Sequence, residues 1–333
     1  MKPTVVLVPQ PQPVERIFRP ETLARLHEAF EVVEPAEGEL DAALGDAWAI
    51  VGQPELPTER LERAPHLRAV LNVEGNFYPN VDYPTCFTRS IRVLGCGPAY
   101  AQAVAEHALG LALDLARGIS REDRAFRAGR ERYLGEGNAD AVLLRHADVG
   151  LVGYGNIGRA LRPLLAAFGA RVRAYDPWLP DAVLRDADVE PASLDEVLRR
   201  STFVVVLATV TDDSQHLLGP RELDLLPEGA RLVLVSRAAV TDYEALGERV
   251  AAGRFLAASD VWPTEPVPAD SPFRSMEGLL LSAHRAGGIP AAFLEIGDMV
   301  VDDLELLARG LAPVRMQQAA PELVGRYRNR PAG

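Results

Sequence analysis

Short apolar runs alternate with helical patterns along the first third of the chain. TVVLVP (4–9), AWAIVG (47–52), LRAVLNV (67–73) and SIRVLG (90–95) read as buried strands. Between them, PETLARLHEAF (20–30) and TERLERA (58–64) carry helical spacing. Such alternation predicts parallel strands joined by crossover helices. A long amphipathic helix is expected from about Pro98 to Arg117. It places Val104, Ala108, Leu111, Ala112 and Leu115 on one face, with Gly118 as its stop. Residues 119–146 are rich in Arg, Glu and Gly and read as a surface excursion.

A second α/β series begins at ADVGLVGY (147–154). It continues through ARVRAYD (170–176), FVVVLAT (203–209), RLVLVS (231–236), FLAASDV (255–261) and LLLSAH (279–284). Ser193 and Glu196 form a capping box before EVLRR, and DYEALGERVAAG (242–253) is a further crossover helix. Six strands with helices between them predict a doubly wound sheet. PAAFLEIGDMVVDDLELLARG (290–310) is a long helix that leaves this sheet.

Composition narrows the field. A chain of 333 residues has room for two cores. A formal charge of −12 argues against nucleic acid or an anionic membrane surface as partner. Cys86 and Cys96 are too few for a disulfide framework and fit a reducing compartment. No apolar run is long enough to span a membrane, and MKPTVVLVPQPQP lacks the marks of a signal peptide. A cytoplasmic protein is expected. No Cys/His/Asp/Glu group has metal-ligand spacing, so no metal is expected.

GLVGYGNIG (150–158) places glycines at Gly153, Gly155 and Gly158, after a strand and opening an apolar helix that ends at Gly169. Gly153 would allow the tight turn and Gly155 the approach of a pyrophosphate. Gly158 would let the helix pack closely on the strand. Asp176 ends the next strand, 18 residues beyond Gly158. A carboxylate there accepts from a ribose 2′-hydroxyl and repels a 2′-phosphate, which favours NAD over NADP. Arg173 lies nearby in sequence, but alternation leaves its direction open. Pro163, inside the helix, is expected to bend it.

Arg237 closes LVLVSR, Glu265 follows DVWPT, and His284 closes LLLSAH. These are C-terminal ends of late strands, where ligands bind in such sheets. Arginine can hold a carboxylate bidentately. A histidine paired with a carboxylate can give and take a proton. The ordered set VAEH (104–107), the glycine fingerprint, SRAAVTDYEAL, SDVWPTEP and SAHRAGG resembles the D-isomer-specific 2-hydroxyacid dehydrogenase family. The similarity runs from about residue 66 to 310 and includes VEGNFYPNVD (73–82) as the family's substrate loop.

That resemblance implies two Rossmann-like or flavodoxin-like doubly wound α/β domains. Residues 1–115 and 290–333 would form a discontinuous substrate domain, with an NAD-binding domain, 116–289, inserted into it. It implies Arg237, Glu265 and His284 as catalytic residues. Backbone at Gly75 and Asn76 would meet the substrate carboxylate. Cofactor contacts would come from Gly153, Gly155, Asn156, Ile157, Gly158, Asp176, Thr209, Ser236, Asp260 and Gly287. Glu74, Phe77, Tyr100, Trp262 and Arg285 are lining positions, and Arg285 could meet a second anionic group. His107 is expected to pack. A homodimer formed with help from the segment after Gly118 is implied as well.

The chain departs from the family at Leu234, Ala238, Ala283 and Thr209, where Asn, Gly, Pro and Pro are usual. The expected reaction is hydride transfer between NAD(H) and a small 2-hydroxy or 2-oxo acid. The alternatives are NAD-dependent oxidation of formate or phosphite on the same fold, and a non-catalytic NADH-sensing scaffold. Glu265 stands where the formate branch carries Gln, which counts against that branch.

Overall fold

The computed structural model describes residues 2–36, 38–75 and 77–326. It is an α/β protein that divides into two compact units, Met1–Ala101 with Gly288–Gly333, and Gln102–Gly287. The first division falls inside the helix Gly97–Arg117, near its start rather than at its end. The second directly precedes the helix Pro290–Ala308.

In the first unit, β1 (Thr4–Val8), β2 (Glu31–Val33), β3 (Ala47–Gly52), β4 (Ala69–Asn72) and β5 (Arg92–Gly95) form a parallel sheet in the order β5-β4-β3-β1-β2. Gln317–Gln318 adds an antiparallel edge beside β5. Register aligns Val6, Ile50, Val70 and Val93 in one row across the sheet. All four are buried in a single apolar cluster. The opposite face buries Val5, Ala49, Leu71 and Leu94 against Phe293, Ile296, Val300 and Leu304 of the helix Pro290–Ala308. A sheet covered on both faces explains why these strands are apolar runs rather than alternating patterns. At Gly297 that helix meets the chain so closely that an added Cβ would lie 2.2 Å from the Ile17 carbonyl oxygen.

The second unit holds seven parallel strands: β6 (Asp148–Val152), β7 (Arg171–Tyr175), β8 (Glu190–Pro191), β9 (Phe203–Val206), β10 (Arg231–Leu234), β11 (Leu256–Ser259) and β12 (Leu279–Leu281). Their order is β12-β11-β10-β9-β6-β7-β8. The chain enters at β6, runs outward to β8, then returns to β9 on the other side. The order of winding therefore reverses between β6 and β9, and the crevice at their C-terminal ends is where ligands bind in open sheets. β8 was not expected from the sequence, since its two residues carry no apolar run.

Helix ends follow local chemistry. Ser193 caps Leu194–Arg200 with the full capping box to Glu196. Gly118 adopts φ +65° after Arg117, as a helix stop requires. Beyond it, the helix Ile119–Arg127 buries no residue. Pro163 sits in Asn156–Ala166 on the exposed side, where water can serve the carbonyl that lacks its usual donor. Among the described residues, no helix is long and apolar enough to cross a membrane.

Candidate active site

The turn after β6 has the form a pyrophosphate needs. Gly153 has φ +97°, and a Cβ there would lie 3.0 Å from Ala208 N. Gly158 packs tightly, with an added Cβ 3.1 Å from Tyr154 Cδ2. Gly155 differs: nothing lies within 4 Å of its added Cβ, leaving open space at the N-terminus of Asn156–Ala166. Helix N–H groups and the helix dipole face that space, which suits an anion. Asn156 and Ile157 form the first turn, both partly buried.

Asp176 closes the same site from β7. Its Oδ2 accepts from Tyr154 N at 2.8 Å and its Oδ1 from Trp178 N at 3.0 Å. The carboxylate is thereby fixed beside the glycine turn while keeping lone pairs for a hydroxyl. Arg173 is turned away. It is 4% exposed, donates to Asp148 Oδ1 at 3.0 Å and to the Arg200 carbonyl at 2.9 Å. No arginine from β7 thus waits for a 2′-phosphate.

On the other side of the switch point, Thr209 follows β9, and its carbonyl accepts from Ser214 Oγ at 2.7 Å. Ser236 follows β10 and is 7% exposed, yet its Oγ has no hydrogen-bond partner among the described residues. A buried hydroxyl without a partner is costly. A cofactor amide or hydroxyl would satisfy it. These residues fit a dinucleotide.

Arg237 projects into solvent, with Nη1 donating to the Ser236 carbonyl at 2.8 Å. Among the described residues it has no carboxylate partner, so the rest of its fork is available to an anion.

Glu265 and His284 form one unit. His284 Nδ1 lies 2.6 Å from Glu265 Oε2, and Glu265 Oε1 accepts from Trp262 N at 2.9 Å. An ionised carboxylate can only accept, so Nδ1 carries the hydrogen and Nε2 is left for a ligand. The His284 side chain is 34% exposed, enough to be reached.

Asp260 lies at the end of β11, 1% exposed. It accepts from the Ser282 hydroxyl, from Arg285 N at 3.0 Å and from Ala286 N at 2.9 Å. Gly287 follows directly. Asp260 therefore binds the loop that follows β12 with both oxygens.

Several sequence-derived positions look different in three dimensions. Trp262, expected to line the site, is 7% exposed, and its Nε1 donates to the Ser282 carbonyl at 2.8 Å. Through its backbone N–H to Glu265 and its indole to Ser282 it ties together the segments that carry Glu265 and His284. Phe77 is 3% exposed and belongs to the core of the first unit. In that same unit Gly75 has φ +102°, but its N–H already points at Cys96 Sγ, 2.9 Å away. Asn76 lies outside the described residues. Glu74 accepts from Gln12 Nε2 at 2.6 Å, and Tyr100 is partly buried. Arg285 is exposed. Burial pushes both cysteine thiols up, each to about 12, and neither is a nucleophile here.

His107, expected to pack, keeps a partly exposed side chain and makes a polar contact. Its Nε2 lies 3.1 Å from Ser282 Oγ, inside the polar network around His284.

The chain is also similar to known proteins. The family model described as "D-isomer specific 2-hydroxyacid dehydrogenase, NAD binding domain" matches residues 109–286. A crystal structure of a phosphoglycerate oxidoreductase from Rhizobium etli superposes with a TM-score of 0.89 and 45% identity, covering 97% of this chain and 100% of that one. The glyoxylate reductase of Korarchaeum cryptofilum is 27% identical over 305 residues, 87% of this chain and 90% of the relative. The D-3-phosphoglycerate dehydrogenase of Archaeoglobus fulgidus is 27% identical over 84% of this chain. That match spans only 52% of the relative's length.

Proposed function

The chain belongs to the D-isomer specific 2-hydroxyacid dehydrogenase family, and from that premise we propose that it moves a hydride between NAD(H) and a small 2-hydroxy or 2-oxo acid. The observation that carries the proposal is the 2.6 Å contact between Glu265 and His284, with Glu265 itself fixed on Trp262 N. That pairing leaves Nε2 of an accessible imidazole as the only ring nitrogen free to exchange a proton with substrate.

In reduction, imidazolium Nε2–H donates to the substrate carbonyl oxygen and gives up its proton as hydride reaches the carbon. His284 is left neutral and the product carries a hydroxyl. In oxidation, neutral Nε2 takes the hydroxyl proton as hydride departs. Glu265 orients the ring and stabilises its charged form. Arg237 holds the substrate carboxylate through its planar fork and polarises the adjacent carbonyl. The nicotinamide, when bound, supplies or accepts the hydride. Gly153, Gly155 and Gly158 would hold the pyrophosphate, and Asp176 the ribose, which favours NAD over NADP.

The names of the relatives point to 2-oxo acids of two or three carbons, with or without phosphate, as the first substrates to try. A homodimer forms part of the proposal. The segment after Gly118 exposes Ile119, Phe126, Leu134 and Leu143, all at least 60% accessible. Apolar side chains grouped on one excursion mark an interaction surface. The two unpaired, buried cysteines fit a cytoplasmic location.

The test is NADH oxidation, followed by absorbance, against glyoxylate, pyruvate, hydroxypyruvate, and branched, aromatic and phosphorylated 2-oxo acids. Turnover with one cluster of these is expected. Tight NADH binding without turnover on any of them would overturn the enzyme reading in favour of a cofactor-sensing scaffold.

A further inference from the structure

His284 has φ +49°, a left-handed conformation that costs a non-glycine residue on the order of 1 kcal/mol. Its neighbours must hold it there. Asp260 does so with one carboxylate, binding Ser282 before His284 and the N–H groups of Arg285 and Ala286 after it. The loop is thus gripped on both sides of the imidazole.

His107 touches this grip from a distant part of the chain, the helix Gly97–Arg117. Ser282 has a single hydroxyl proton, and it is committed to Asp260, which can only accept. Ser282 Oγ therefore meets His107 Nε2, at 3.1 Å, as an acceptor. It follows that Nε2 carries a hydrogen. The same nitrogen is 3.6 Å from Asp260 Oδ1. Among the described residues it is the one group able to carry positive charge within ion-pair distance of that carboxylate.

We infer that His107 is a positioning residue for His284. Its Nε2–H fixes Ser282 and Asp260, and through them the backbone that presents the imidazole. The inference rests on the reading of His284 as the acid–base group. It assigns His107 no contact with substrate or cofactor, so its loss acts on turnover rather than on binding.

The test compares the parent chain with His107→Leu, His107→Gln, Ser282→Ala and His284→Gln. It reads kcat and KM for the best 2-oxo acid, the NADH Kd by fluorescence, and Tm. Glutamine can offer an amide N–H near the position of Nε2; leucine cannot. His107→Leu is expected to lower kcat about 10-fold with the NADH Kd within about 2-fold, since small displacements of a reacting group are costly. His107→Gln should recover most of that loss. Adding His107→Leu to Ser282→Ala should cost little more than Ser282→Ala alone, because both break one network.

Parental kcat in His107→Leu overturns the inference. Equal losses in the Leu and Gln variants also overturn it, as does a loss that follows NADH binding. If His107→Leu fails to fold, His107→Gln and Ser282→Ala decide, and fully additive effects count against the network. Parental turnover in His284→Gln would bring down the acid–base reading and this inference together. Loss in His284→Gln with parental His107→Leu brings down the inference alone.

Discussion

Glu265 grips His284 at 2.6 Å with one oxygen while its other oxygen is tied to Trp262 N at 2.9 Å. The imidazole is therefore fixed in tautomer and direction by a carboxylate that cannot turn away. His284→Gln is expected to lower turnover by about 10²–10⁴, with NADH binding largely kept. Binding titrations beside steady-state rates check this. Loss of NADH binding in parallel would make His284 structural.

Arg237→Lys keeps the charge and loses the fork. An ammonium cannot reproduce two parallel hydrogen bonds to a carboxylate. kcat/KM for 2-oxo acids should fall by roughly 10-fold or more, about 1.4 kcal/mol of transition-state stabilisation, while the NADH Kd stays near the parent's. Unchanged kcat/KM would remove Arg237 from the substrate.

Asp176→Ala should weaken the preference for NADH over NADPH. The carboxylate is held by Tyr154 N and Trp178 N beside the glycine turn. On the proposed reading, its removal would take away both the ribose acceptor and the repulsion of a 2′-phosphate. The ratio of kcat/KM for the two cofactors is the readout, and an unaltered ratio would move the ribose contact elsewhere.

The glycine turn and Asp176 were legible in the sequence because their chemistry is local: a strand, a turn and a helix within one short stretch. That Glu265 and His284 belong together is expected from motif order, and the fold does bring them to 2.6 Å. Other features rest on distant partners. The direction of Arg173 is set by the pairing of β6 with β7, which brings Asp148 beside it, and alternation along β7 alone leaves it open. Trp262 reads as a lining residue beside DV, yet its indole is drawn inward by the Ser282 carbonyl. His107 and Ser282 are 175 residues apart, and no spacing rule links them. β2 and β8 escaped notice because three- and two-residue edge strands carry no periodicity.

Asp148 makes a pH-dependent contribution to stability. Arg171 first, and then Arg173, hold its carboxyl below the ordinary value of 3.8. A depressed folded-state pKa stabilises fully above the unfolded value and ceases to do so as pH falls through the folded one. Asp148→Asn leaves the buried Arg173 with Glu190, 3.4 Å from its Nε, as its remaining carboxylate, and should cost about 1 kcal/mol at neutral pH. The gap between parent and variant should close below about pH 4. Urea unfolding at pH 7 and pH 3 measures it, and a gap that grows on acidification would contradict the assignment.

Direct hydride transfer to C2 of a 2-oxo acid is followed with NADH carrying deuterium at both C4 positions. The 2-oxo acid with the highest turnover is reduced and the product analysed by mass spectrometry and chiral chromatography. The expected product is a 2-hydroxy acid of D configuration carrying one deuterium at C2, absent when His284→Gln replaces the parent. Labelled NADH that is bound but never delivers deuterium to any 2-oxo acid would contradict it.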